Sequence, residues 1–304
     1  MGVHLMTSGT ARIGEVDLAY DTRGSGEPVL LIAGFGMNRE MWDDELCNLI
    51  AERGFSVVRM DNRDTGSSTR LDHLGVPDAR KKMVRSLLGL SIAAPYTLED
   101  MAADAVGLMT NLGHARFHAV GASMGGMIGQ TIALDHPGRL ASLTSIMSSP
   151  GGRRYAFAKL GAFLALMKPM PSADDARTEH LMNVLRVLSG DGTPFEEARM
   201  KAFVTSFVAT KPGAAGNARQ LAAILDSSGR RRPRLGRIKT PTLVVHGSHD
   251  PLVPFRAGKA TARAIPGAEF LVIEGMGHWI PSPRYGLVAD AVAKLSKRAT
   301  VSAP

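Results

Sequence analysis

Cysteine is almost missing from this sequence: Cys47 stands alone, so no internal disulfide can staple the fold. With Leu46 and Leu49 beside it in a helical pattern, it reads as a buried thiol rather than a nucleophile. Long apolar runs are lacking too. Met1 to Gly14 is polar and broken by glycine, and a stretch such as Leu160 to Met167 is too short to span a bilayer, so the expectation is a soluble, cytoplasmic protein. His246, His249 and Asp250 lie close together, but no further cluster matches them, and no metal is expected. Acids are fewer than bases, 28 against 36, which leaves a formal charge of +8. Such a surplus raises nucleic acid or anionic membrane as partners where it is clustered. Here it is mostly scattered. The one dense run, Arg230-Arg231-Arg232-Pro233-Arg234, has no interleaved aromatics, and it reads as a solvated linker with no part in chemistry; contact with an anionic surface is the lesser alternative. No nucleic-acid partner is expected, and peripheral membrane contact stays open. Repeats and low-complexity tracts are absent, and residues from Arg298 onward read as a frayed tail.

What is present is ordinary globular material, 44% hydrophobic and 21% charged, enough for a buried sheet. Apolar runs at Pro28 to Ala33, Phe55 to Met60 and Phe117 to Val120 are each followed by a turn and a helical pattern. Leu140 to Met147, Thr242 to His246 and Glu269 to Ile273 continue the series, and Arg12 to Gly14 with Val16 to Asp21 suggests an edge hairpin. That alternation predicts a mostly parallel sheet with crossover helices. Between about 150 and 235 the strand signal gives way to helical spacing. Leu181, Val184, Leu185 and Leu188 fall at i, i+3, i+4 and i+7, and Phe203 and Phe207 lie one turn apart. A helical cap over 150–235, inserted into a core of 1–149 and 236–304, explains this; simple packing of those faces on the core is the alternative.

The chemistry centres on Gly121-Ala122-Ser123-Met124-Gly125, between the Phe117 to Val120 strand and a helix expected over about Gly126 to Asp135. A serine forced onto so tight a turn exposes its hydroxyl at a helix N-terminus, and flanking glycines remove the Cβ atoms that would collide. Serine needs a base, and His278 follows the last strand in a glycine-rich loop, Gly275-Met276-Gly277-His278. The base needs a carboxylate to fix its tautomer, and Asp250 follows the Thr242 to His246 strand, giving the chain order Ser, Asp, His. Two backbone amides should meet the developing oxyanion: that of Met124, and that of Phe35 in Ala33-Gly34-Phe35-Gly36. Asp61 to Ser68 reads as a structural network, and Thr97 to Asp100 as a helix N-cap. Leu166, Met167, Met170, Leu181, Leu185, Phe203, Phe207 and Trp279 offer apolar surface for substrate, with Met167, Phe203, Phe207 and Trp279 the chosen contacts.

These stretches, with Asp61 to Gly66 and Tyr96 to Met101, resemble α/β-hydrolases of the carboxylesterase type, including aclacinomycin methylesterase-like and mycobacterial lipase G-like proteins. The resemblance covers nearly the whole chain. It implies an α/β-hydrolase fold with an eight-stranded sheet, a helical cap, no cofactor, a small-molecule ester substrate, and a triad on Ser123, His278 and Asp250. Ala33 stands where many relatives carry histidine, which bears on how the oxyanion loop is anchored. Cofactor-free haloperoxidases share the triad, so perhydrolysis is an alternative chemistry, and a non-catalytic ligand-binding protein on the same fold is another. Relatives with an aspartate nucleophile are disfavoured, because Ser123 holds that position.

Overall fold

The structure, a computed structural model, describes residues 6–155, 158–168, 170–211 and 213–301. Its strands are β1 (Thr7–Ile13), β2 (Val16–Gly24), β3 (Glu27–Ile32), β4 (Phe55–Met60), β5 (Phe117–Ala122), β6 (Leu140–Ile146), β7 (Thr242–Gly247) and β8 (Glu269–Ile273). They form one sheet in the order β1-β2-β4-β3-β5-β6-β7-β8. Only β2 runs antiparallel to its neighbours. This is the mostly parallel sheet with crossover helices that the alternation predicts, and its eight strands agree with what the resemblance implies.

The helices are α1 (Asp44–Ala51), α2 (Ala79–Leu88), α3 (Leu98–Asn111), α4 (Met124–Asp135), α5 (Leu160–Met167), α6 (Asp174–Ser189), α7 (Glu197–Ala209), α8 (Ala214–Arg231), α9 (Phe255–Ala264) and α10 (Tyr285–Val301). The period-two alternation of the strands divides the core into two layers. Leu30, Ile32, Val58 and Met60 face the side covered by α3 and α4, packing with Leu98, Met101, Leu108 and Ile128. Val29, Leu31, Val57 and Val120 face the side of α1 and α10, where Leu46, Ile50, Val288 and Val292 close over them, and Cys47 is buried there. Burial pushes its thiol up to about 12, so it stays protonated.

Four local readings change. Residues 298–301 continue α10 where a frayed tail was expected, and the rest of that tail lies outside the described residues. Strand β1 begins at Thr7 rather than Arg12; its Thr-Ser-Gly-Thr start carries no apolar alternation because it is an exposed edge paired only to β2. Helix α2 was not anticipated, since it buries no residue and so shows no core-facing stripe. The basic run is not a solvated linker. Arg230 and Arg231 end α8, a 3₁₀ turn spans Arg232–Arg237, and Arg231 is buried, donating to Gln130 Oε1 (3.0 Å), Ser227 Oγ (2.6 Å) and Ser149 O (3.2 Å). Ser227 lies one turn back on the same helix, but Gln130 and Ser149 are 101 and 82 positions away, which local composition cannot reveal.

Among the described residues, those between β6 and β7 contain helices and no strand. Helices α6 and α7 share a cluster of their own, Leu181, Met182, Leu185, Met200, Val204, Phe207 and Val208. Helix α8 instead packs back onto the main body, through Ala223 in the α3/α4 layer and Arg219 on Asp64.

Candidate functional site

Ser123 sits between β5 and α4 with φ 54° and ψ −114°, a left-handed conformation costing a non-glycine residue about 1–3 kcal/mol. The turn is fixed from several sides. Ser123 N donates to Ile146 O (2.9 Å), and Ser123 O accepts from Ser148 Oγ (2.7 Å) and Met127 N (3.2 Å). The flanking glycines are required by space: a Cβ at Gly121 would lie 2.2 Å from Gly125 O, and one at Gly125 only 2.0 Å from Ile32 O.

Loops after β7 and β8 bring the acid and the imidazole together. Asp250 Oδ2 lies 2.7 Å from His278 Nδ1, and Asp250 Oδ1 accepts the amides of Leu252 (2.9 Å) and Val253 (2.8 Å). A carboxylate accepts, so Nδ1 carries the proton and Nε2 keeps its lone pair. His278 N donates to Leu188 O (2.6 Å), tying the loop to α6. His246 is the nearby competitor, with Nε2 3.6 Å from Asp250 Oδ2. Its Nε2–H goes to Val253 O (2.9 Å), however, and burial holds its pKa below the usual imidazole value, so it stays neutral.

Ser123 and His278 line one cavity of ≈ 370 Å³ with Gly34, Phe35, Gly36, Ala122, Phe207 and Trp279. As the first residue of α4, Met124 has an amide with no acceptor inside the helix. In the facing loop Gly34 N meets Met41 Sδ (3.1 Å) and Gly36 N donates to Gln220 Oε1 (2.9 Å); among the described residues nothing accepts from the Phe35 amide between them. The anchoring that a histidine at Ala33 would have given comes from elsewhere. Asn62 Nδ2 donates to Ala33 O (3.1 Å), and Gln220 Nε2 to Arg63 O (2.9 Å), so the loop is pinned from two sides.

The apolar surface expected for substrate is distributed unevenly. Leu166, Met170, Leu181, Leu185, Phe207 and Trp279 line the cavity. Phe203 stands behind them, its ring 5.9 Å from Phe207 and 5.2 Å from Trp279. Met167 ends α5, and its side chain lies outside the described residues. Sequence reasoning missed the polar members of the lining: Lys168, Arg177, His180 and Asn217. Only the spacing of Arg177 and His180 to Leu181 and Val184 on one helix could have hinted at them. Asp61 and Asp64 belong to scaffold networks. Asp61 takes Arg39 N (2.7 Å), Ser67 N (2.9 Å) and the Arg39 guanidinium, while Asp64 takes the Arg219 fork (2.7 and 2.8 Å), Tyr96 Oη (2.8 Å) and Leu71 N (2.8 Å). Among the described residues no group of three or more His, Cys, Asp or Glu side chains could hold a metal, and no helix is long and apolar enough to cross a membrane.

The family described as alpha/beta hydrolase fold matches residues 27–283. Rhodomycin D methylesterase DnrP of Streptomyces peucetius is 28% identical over 300 residues, covering 90% of this chain and 92% of that protein. A Mycobacterium tuberculosis protein bearing the name of a non-heme bromoperoxidase, BpoC, is 27% identical over 269 residues, covering 86% and 91%. Among solved structures, the enol-lactonase from Burkholderia xenovorans LB400 superposes with a TM-score of 0.69 at 22% identity, covering 97% of this chain and 100% of its own, which speaks to fold alone.

Proposed function

The chain belongs to the α/β-hydrolase fold family, and on that premise we propose that it is a serine hydrolase cleaving carboxylic esters through an acyl-enzyme on Ser123. The observation that carries this reading is the pairing of a strained, glycine-flanked serine with a His278–Asp250 pair lining the same cavity. Methylesterase relatives such as DnrP support ester hydrolysis as the activity.

In this mechanism Ser123 Oγ attacks the ester carbonyl while His278 Nε2 takes its proton. Asp250 holds the imidazolium through Nδ1–H. The carbonyl electron pair moves to oxygen, where the Phe35 and Met124 amides meet it. Collapse of the tetrahedral adduct breaks the bond to the alcohol, which leaves with the proton from Nε2. Water then attacks the acyl-enzyme, His278 acting as base, and releases the acid and free Ser123.

Residues 150–235 serve here as a cap whose α6 and α7 faces wall the acyl or alkyl group. The site takes a small to medium, mainly apolar ester. Each buried CH₂ is worth about 0.8 kcal/mol, so kcat/KM should climb roughly fourfold per methylene until the cavity fills. A p-nitrophenyl ester series from acetate upward, on wild type and Phe207→Ala, tests this: the preference should flatten in the variant. A wild type indifferent to chain length would overturn it. The relation to BpoC keeps a second chemistry in view, in which hydrogen peroxide replaces water at the acyl-enzyme and yields a peracid. Bromination of monochlorodimedone with acetate, peroxide and bromide present, outpacing ester hydrolysis, would favour it.

A further inference from the structure

Most buried and half-buried arginines of this chain face a carboxylate, as Arg39, Arg59, Arg63, Arg199 and Arg219 do. On the surface, one group of cations has no such partner. Arg154, Arg232, Arg256, Lys259 and Arg263 line an open groove of ≈ 610 Å³ with no acidic residue in its walls. Among the described residues none of them has a carboxylate within ion-pair distance. Arg256, Lys259 and Arg263 fall at i, i+3 and i+7 on the exposed face of α9. Arg154 and Arg232 are each held 5.6 Å from the Tyr155 ring. Like charges gathered this way repel one another, and an external anion relieves that repulsion.

The groove does not stand alone. Helix α5 starts at Leu160, so the five steps from Tyr155 can reach no further than about 18 Å. Its inner side is docked, with Ala162 packed on Val184 and Leu188, and Lys159 N donating to Pro251 O (2.7 Å). Its outer side is apolar and open: Leu160 is 71% exposed, Phe163 43% and Leu164 54%. Just beyond them Leu166 and Met170 line the cavity that holds Ser123. A basic groove, an exposed apolar helix and the mouth of the cavity therefore follow one another along the chain.

We propose that this face docks on an anionic lipid bilayer. The groove takes the acidic head groups, Leu160, Phe163 and Leu164 enter the boundary of the acyl chains, and the cavity mouth opens toward the lipid. Charge selects this occupant. Nucleic acid would satisfy the cations but has no use for three exposed apolar side chains, and a second copy of the chain would bring further cations to the same face.

Vesicle co-sedimentation of the full chain tests the proposal, comparing phosphatidylcholine vesicles with phosphatidylcholine–phosphatidylserine vesicles at about 0.1 M salt. The protein should sediment with the anionic vesicles, remain free with the neutral ones, and dissociate as salt rises. Arg256→Gln/Lys259→Gln/Arg263→Gln should weaken binding on the order of 100-fold, from about fivefold per cation. Leu160→Gln/Leu164→Gln should also weaken it, while both variants keep wild-type turnover of a soluble ester, since none of these residues lines the cavity. Equal affinity for both vesicle types, no binding to either, or full binding by the triple variant would overturn the proposal. So would tighter binding to a short single-stranded oligonucleotide than to the vesicles, or a solution dimer that the leucine variant dissociates.

Discussion

Replacing Asp250 with asparagine alters one atom's chemistry in a setting that dictates how the new side chain must sit. Two amides, from Leu252 and Val253, converge on Oδ1, so the asparagine carbonyl has to occupy that position. Its NH₂ then faces His278 Nδ1, 2.7 Å from the present Oδ2. Two donors cannot share that contact, and the imidazole must move its proton to Nε2, where it can no longer accept from Ser123. His246 offers no rescue, because its Nε2–H is committed to Val253 O. Turnover should fall by about 10⁴-fold, the loss known for this change in the best-studied triad, which is about 5.4 kcal/mol of transition-state stabilisation. Stability should change little, within about 1 kcal/mol, since both amide hydrogen bonds survive. Stopped assays of p-nitrophenyl butyrate hydrolysis measure the first quantity and urea unfolding the second. A folded Asp250→Asn enzyme within tenfold of wild type would refute the reasoning, as would a 10⁴-fold loss in folded Asp64→Asn instead.

Further outcomes follow from the scaffold. Burial works to raise the Asp64 carboxyl, but the Arg219 fork, the Leu71 amide and the Tyr96 hydroxyl outweigh it and hold its pKa below the ordinary value. Its stabilising effect is therefore complete above the unfolded value of about 3.9 and is lost as pH falls through the lower folded one. Asp64→Asn should cost about 1–3 kcal/mol at neutral pH by removing one of the two carboxylates on buried Arg219, which keeps Asp72 at 2.9 Å, with the gap to wild type closing below about pH 4, as chemical denaturation at several pH values will show. Arg231→Ala should destabilise by about 2–4 kcal/mol, through a cavity and three orphaned acceptors. The adjacent, exposed Arg230→Ala should stay within about 0.5 kcal/mol, so thermal melts of the two separate a buried cation from a surface one. Gln220→Leu frees the Gly36 amide and the Arg63 carbonyl, and kcat should drop about 10- to 100-fold through a loosened Phe35 amide, with KM little changed; an equal rise in KM alone would place Gln220 in substrate binding instead.

The sheet was legible because each core strand is a short run of Val, Leu or Ile closed by a turn, and such runs are buried on both faces wherever they fall in a parallel sheet. Phe55–Met60 matches its expected bounds for that reason, while Glu269–Ile273, a half-buried edge strand, matches through its Phe-Leu-Val-Ile run alone. The candidate triad was legible because each member sits in a local motif at a strand end. What escaped depends on partners far along the chain. Arg219 reaches Asp64 across 155 positions and Arg231 reaches Gln130 across 101, and neither pairing leaves a mark on the sequence around it. Helix α2 escaped for the opposite reason, having no buried face to give it a period. The polar lining from Arg177 and His180 on α6 and from Asn217 on α8 escaped because apolar spacing on a helix reports its apolar stripe and is silent about the residues between.

The central claim is that Ser123 is an activated nucleophile, and the most direct measurement is peptide mapping of the full-length protein after treatment with a fluorophosphonate. The account predicts a single phosphonyl adduct, on the peptide carrying Ser123, formed quickly by wild type, slowly by Asp250→Asn, and not at all by a folded Ser123→Ala. An unlabelled wild type, or an adduct that persists on another residue in Ser123→Ala with ester hydrolysis intact, would contradict it.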